Sequence, residues 1–158
     1  WQRVLDINLT GYFHTCQVAA GLMSPRRQGH IINMSSIAAY RGGIDGLSYI
    51  VSKAGILGLT RRAAWDLGPH GITVNAICPG AVDTDIRGNS AEVLGWEDRR
   101  ESQGVLTAMP EGMFDYMVPL HREAAPSEIA AVALFLASPG AAYINGEAIA
   151  VDGGWLAT

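Results

Sequence analysis

The sequence predicts an α/β fold in which a parallel sheet carries helices on both faces. Three observations lead there. Apolar residues recur at helical spacing in three segments, short unbroken apolar runs rich in β-branched residues alternate with them, and Gly, Pro or Asn-Gly punctuates the joins. With 158 residues and 49% hydrophobic content the chain can build a real core, so residues 1–158 read as a single domain.

The first helix is expected from the opening residues to about Met23. Val4, Leu5, Leu9, Phe13, Cys16 and Ala20 follow a helical period, and Ser24-Pro25 ends it. His30 to Ser35 then reads as a short buried strand, followed by a loop over 37–47 that holds Gly42, Gly43 and Gly46. A second helix spans roughly Ser48 to Leu67. Gly68-Pro69 is read as its stop, a C′ glycine followed by a breaker. Ile72 to Cys78 is a second buried strand, closed by Pro79-Gly80. The stretch from Asp83 to Arg122 mixes charge with apolar residues, among them Trp96, Met109, Met113, Phe114 and Met117; such an insertion in a compact domain reads as a substrate lid, placed at 85–122. Pro126-Ser127-Glu128 opens a third helix running to Ser138, and Asn145-Gly146 turns the chain into a last strand, Ala148 to Val151.

Composition narrows the function. A net charge of −4 lacks the basic footprint of a nucleic-acid binder, and no apolar run reaches membrane-spanning length. No N-terminal signal pattern appears. Cys16 and Cys78 lie inside apolar segments, which fits two buried thiols in a reducing, cytoplasmic compartment. The four histidines have no metal-ligand spacing, so metal catalysis is set aside. Ten of the eleven basic residues are arginine, and Lys53 is the single lysine.

That lysine sits in Tyr49-Ile-Val-Ser-Lys53. Four residues on a helix turn about 400°, so both side chains leave one face a turn apart. An ammonium beside a phenol favours the phenolate and brings its pKa toward the working range, which makes the pair an acid-base device for carbonyl–alcohol interconversion. By spacing alone it is also what chance produces, but a cation placed near a helix N-terminus needs some other reason. Ser35-Ser36 ends a predicted strand, where a hydroxyl can donate to a substrate oxygen or merely satisfy loop backbone. Asn8 stands in mid-helix, where asparagine has poor propensity; it is a surface position or a polar group facing a site. Pro79-Gly80-Ala-Val82-Asp-Thr84 can aim backbone groups and the Thr84 hydroxyl at a ligand, as can other strand-ending turns.

Asn8-Leu-Thr-Gly11, Asn33-Met-Ser35-Ser36, Tyr49-x-x-x-Lys53, Asn75-x-x-x-Pro79-Gly80 and Val151-Asp-Gly-Gly154 occur in this order across nearly the whole chain. In this the chain resembles the short-chain dehydrogenase/reductase (SDR) family, and within it the group of 3-oxoacyl-carrier-protein reductases and sugar or secondary-alcohol dehydrogenases. The resemblance implies the C-terminal part of a Rossmann-like, doubly wound parallel sheet and an oxidoreductase using NAD or NADP. It implies that Tyr49 is the acid-base residue, that Ser36 stabilises the substrate oxygen, and that Lys53 lowers the tyrosine pKa and contacts the nicotinamide ribose. Asn8 would support a water-linked proton relay. Pro79, Gly80, Val82 and Thr84 would form the nicotinamide-side loop, with Ser36, Ile37, Ala38, Trp96 and Met113 on the substrate side. A homodimer or homotetramer formed through the first two helices is implied as well.

The family's glycine-rich phosphate turn, its NAD-or-NADP selector and its N-N-A-G stretch do not occur in these 158 residues. Gly42-Gly43-Ile-Asp-Gly46 opens no helix directly and is read as a substrate-side loop. The chain thus corresponds to the C-terminal portion of such an enzyme, expected to be inactive by itself, and the strand at His30 to Ser35 is expected to want a neighbour along its outer edge. Two further readings stand beside this one. One is a non-catalytic, truncated or partner-binding chain of the same fold without cofactor binding. The other is an epimerase or dehydratase of the extended branch, which shares Y-x-x-x-K but continues into a substrate domain.

Overall fold

The computed structural model describes residues 1–42, 45–84 and 112–157. The expected first helix is present but built in three parts: α1 (Gln2–Leu5), a π-helical turn (Asp6–Thr10) and α2 (Gly11–Met23). One apolar period runs through all three, so the sequence reads as a single helix, and the wider turn leaves no mark in composition. A 3-10 turn (Ser24–Arg26) carrying Pro25 ends it. Then follow β1 (Gly29–Met34), α3 (Leu47–Leu67), β2 (Ile72–Pro79), α4 (Met113–Met117), α5 (Pro126–Leu136) and β3 (Ala148–Val151). The expected boundaries hold to within two residues for every one of these except α4, which was not anticipated as a helix.

The strands are parallel in the order β1-β2-β3, with Ile31 opposite Val74 and Ala76 opposite Ala148. Side chains alternate between two layers. Ile31, Ile72 and Val74 pack against Cys16 of α2 and Ala64 of α3, while Ile77 packs with Ile129 and Leu136 of α5 on the opposite face. Central β2 is buried on both faces, which is why its apolar run does not alternate. Cys16 and Cys78 are both buried free thiols.

Two asparagines carry hydrogen bonds where backbone pairing stops. Asn145 accepts from Val74 N–H at 2.8 Å and donates to the Ala64 carbonyl at 3.2 Å. Asn75, fully buried, donates to the Ile144 carbonyl at 2.8 Å and accepts from Glu147 N–H at 3.0 Å. The motif asparagine at 75 therefore ties β2 to the approach to β3.

One boundary is realised differently from the expectation. Gly68 is right-handed, with φ −53°, and begins a 3-10 turn (Gly68–His70) because Pro69 is compatible with one more right-handed step. The left-handed residue is Gly71, at φ +71°. A Cβ there would fall on the Arg27 carbonyl oxygen, so only glycine fits.

Among the described residues β1 pairs on one side only, and beside its outer edge lies a hollow of about 390 Å³ lined by Ile7, Tyr12, Cys16, Ala19 and Ile31. No helix among the described residues is long and apolar enough to cross a membrane.

Candidate active site

The chemistry-bearing residues gather where β1 and β2 end, at the carboxyl edge of the sheet. Ser35 and Ser36 leave β1 in different directions. Ser35 is buried and its hydroxyl donates to the Lys53 carbonyl at 2.8 Å, which ties the strand end to α3. Ser36 is half-buried and extended, and its Oγ accepts from Ala38 N–H at 3.1 Å to cap a 3-10 turn (Ile37–Ala39). The Ser36 hydroxyl also interacts with the Tyr49 phenol and draws its pKa downward. The loop-backbone reading of the strand-end serines is realised at both Ser35 and Ser36.

Tyr49 lies in the first turn of α3 and Lys53 one turn on. The Lys53 ammonium stands 5.5 Å from the centre of the Tyr49 ring and donates to the Met34 carbonyl at 3.0 Å. Lys53 is 9% exposed, and burial pulls its amine below the ordinary value, with Cys78 opposing. Burial also pushes the Tyr49 phenol above its ordinary value; the Ser36 hydroxyl draws it part of the way back, while Asp45 and Tyr12 push it further up. This corrects the expectation that Lys53 holds the tyrosine low. The ammonium sits against the ring and donates one of its three N–H groups to Met34, and loss of solvation around the phenol is the largest influence on its pKa.

Asn8 is half-buried within the π-helical turn, a geometry that often marks functional sites. One turn later comes Tyr12, a residue that sequence reasoning missed. Its ring stands 5.6 Å from the Lys53 ammonium, so two phenol faces flank the same cation. Its spacing of four from Asn8 was the available signal. Leu9 of the same turn rests on Gly55, where a Cβ would stand 2.8 Å from a Leu9 methyl carbon. Gly55 is thus used within the chain, as are Ala63 and Ala64 against the sheet, whereas Ala54 and Gly58 are exposed.

Beyond β2, Gly80 N–H donates to the Val151 carbonyl at 3.0 Å, and Val82 forms a parallel bridge to Ala124. In that bridge Asp83 N–H and the Ala81 carbonyl bond Ala124, so the N–H and C=O of Val82 itself are not spent on it. Thr84 is exposed. Ile37 and Ala38 are 6% and 5% exposed, so their side chains face the interior, and Met113 is exposed at the start of α4. Trp96 and Met109 lie outside the described residues, as does most of the lid expected at 85–122. A second hollow, of about 490 Å³, opens away from Tyr49 beside Arg61, Trp65 and Asn145.

The arrangement brings a phenol, a hydroxyl and a buried cation together at one end of the sheet. It suits proton transfer to a polarised carbonyl.

A family model described as enoyl-(acyl carrier protein) reductase matches residues 1–156. The chain is 45% identical over 156 residues to the short-chain reductase protein NovJ of Streptomyces niveus, covering 98% of this chain and 55% of that one. It is 36% identical over 154 residues to the 3-oxoacyl-(acyl-carrier-protein) reductase FabG of Aquifex aeolicus, covering 98% and 56%. Among solved structures it superposes on a protein from Beutenbergia cavernae, described as an NAD(P)-dependent gluconate 5-dehydrogenase with bound NADP at low occupancy. That match has TM-score 0.81 and 32% identity, over 100% of this chain and 58% of that one. The chain spans about half the length of the curated relatives it matches. With its parallel sheet, its Ser36–Tyr49–Lys53 geometry and these matches, the chain belongs to the short-chain dehydrogenase/reductase family.

Proposed function

We propose that the complete protein is an NAD(P)-dependent oxidoreductase interconverting a ketone and a secondary alcohol. One observation carries the reading: the Ser36 hydroxyl interacts with the Tyr49 phenol while the buried Lys53 ammonium stands 5.5 Å from the same ring. In reduction the ketone oxygen takes a hydrogen bond from Ser36 and the proton from Tyr49; in oxidation Tyr49 takes the proton back. The upward push on the phenol keeps that proton in place at neutral pH, ready for the reductive direction. The nicotinamide, when bound, supplies or accepts the hydride.

Tyr49 and Lys53, with Pro79, Gly80, Val82 and Thr84, hold the nicotinamide end of NAD or NADP in this reading. The backbone groups of Val82 not spent on Ala124 suit an amide-bearing ring. Asn8, beside the Tyr12–Lys53 contact, supports proton supply through bound water. Ser36, Ile37, Ala38, Met113 and Trp96 belong to the substrate side, where Ile37 and Ala38 offer backbone rather than side chain, and residues 85–122 act as the substrate lid. Association into a homodimer or homotetramer through α2 and α3 is supported by Phe13, Val18, Val51 and Trp65, all exposed. Buried free thiols fit a cytoplasmic protein.

The test is Tyr49→Phe in the full-length protein, assayed for NAD(P)H-dependent ketone reduction alongside cofactor titration. Expected is a loss of roughly 10²- to 10⁴-fold in kcat with cofactor affinity retained. Undiminished turnover would remove Tyr49 from the proton step. Absence of cofactor binding by the full-length wild type would favour the non-catalytic reading.

A further inference from the structure

Three segments of the candidate site meet on one residue outside it, Trp155. This indole is 2% exposed and packs with Ile37, directly after Ser36, with Ala81, directly after Pro79-Gly80, and with Phe114, Met117 and Val118 at α4. Phe114 meets it edge-on, with ring centres 6.5 Å apart and an angle of 79°. Arg41, from the loop that follows the Ile37–Ala39 turn, donates to the Trp155 carbonyl at 3.1 Å.

The chain before Trp155 is built to hold it there. The Asp152 carboxylate accepts from Gly154 N–H at 3.0 Å and from Leu156 N–H at 2.8 Å, closing the turn. Gly153 and Gly154 are left-handed, at φ +67° and +91°. A Cβ on Gly153 would stand 2.9 Å from a Val118 methyl carbon, and one on Gly154 3.1 Å from the Pro119 ring, so the end of α4 lies directly on this backbone. Leu120 N–H donates to the Gly153 carbonyl at 3.2 Å. Val118, Pro119, Leu120 and Arg41 thus tie the Asp152–Trp155 turn to segments that border the site.

We propose that Trp155 is a positioning residue that sets the spacing between the Ile37–Ala39 turn and α4, and through it the size of apolar substituent a ketone can carry. Trp155 touches no reacting atom. It acts through Ile37 and Phe114, which pack in one cluster with it, Phe114 edge-on. The inference rests on the oxidoreductase reading for its substrate and on packing alone for its mechanics.

The experiment uses the full-length protein with Trp155→Ala and Trp155→Phe, measured by amide hydrogen exchange and by steady-state reduction of a small and a bulky apolar ketone. In Trp155→Ala, amides of 37–40 and 113–121 exchange roughly tenfold faster or more, while those of β2 keep their protection. KM for the ketones rises about tenfold with kcat within roughly threefold, cofactor affinity holds, and the bulky-to-small preference changes. Trp155→Phe, which keeps an aromatic edge for Phe114, restores most of both readouts. Should the alanine variant not fold, Trp155→Leu carries the same expectations at smaller amplitude. Unchanged exchange in those two segments overturns the proposal, as does a variant that loses active fraction but keeps wild-type KM and substrate preference. A wild type without ketone turnover overturns the functional reading instead, and the exchange result still decides the role of Trp155.

Discussion

Tyr49 and Lys53 are displaced in opposite directions by the same cause. Burial disfavours both charged forms, so the phenol is pushed up and the ammonium down. The consequence for stability can be signed. A phenol that ionises less readily folded than unfolded keeps its proton in the native state after the unfolded chain has lost it, so stability falls as pH rises through about 10. A lysine with a lowered native pKa acts oppositely: the native state sheds its proton first, and stability rises with pH below the ordinary lysine value. Tyr49→Phe removes the first contribution alone. The variant is expected to lose less stability than wild type between about pH 9.5 and 11, read from urea unfolding. An equal loss in both proteins would show that the phenol is solvated like a free tyrosine. At this scale the pair was legible in sequence because both residues share one helix, where spacing alone decides proximity. Tyr12 was not, since it meets Lys53 across two elements that only packing brings together.

The start of α5 shows an element held by a single polar device. Glu128, in its first turn, accepts from Ala125 N–H at 2.8 Å and takes a two-pronged grip from Arg122, at 2.6 and 2.7 Å. These partners hold its carboxyl at about 2, well below the ordinary range. A depressed acid stabilises the fold above its unfolded pKa and loses that contribution as pH falls through the native one. Wild type should therefore lose stability from about pH 4.5 down to about 2, and Glu128→Gln should lose less across that window, compared by thermal unfolding at stepped pH. Both groups face solvent, so added salt should shrink the difference. Pro126-Ser-Glu128 marks this helix start in the sequence. Arg122 does not stand out there, because it lies before the helix and no helical or strand period links it to a glutamate six residues on.

Across the whole molecule, α2 and α3 cover one face of the sheet and α5 the other, and several large apolar side chains stay outside. Gly58 of α3 separates association from folding as an experimental variable. It is exposed, and a side chain there would meet nothing within 4 Å. Gly58→Arg should leave the full-length protein folded, since helices favour arginine over glycine by roughly 1 kcal/mol, yet lower the mass seen in sedimentation velocity. An unchanged mass would place any interface elsewhere. What the sequence determined by itself was the α/β class, the strands and the helices other than α4, and the Tyr49–Lys53 pairing along one helix face. Each of these rests on local period, punctuation or spacing along one element, and local rules act on neighbours in the chain. Tertiary structure alone decided the rest: the left-handed residue at Gly71 rather than Gly68, the rise of the Tyr49 phenol, the second phenol at Lys53, and the meeting of Ile37, Ala81 and Phe114 on Trp155. Those depend on desolvation and close packing between segments far apart in sequence, and neither quantity exists until the chain has folded.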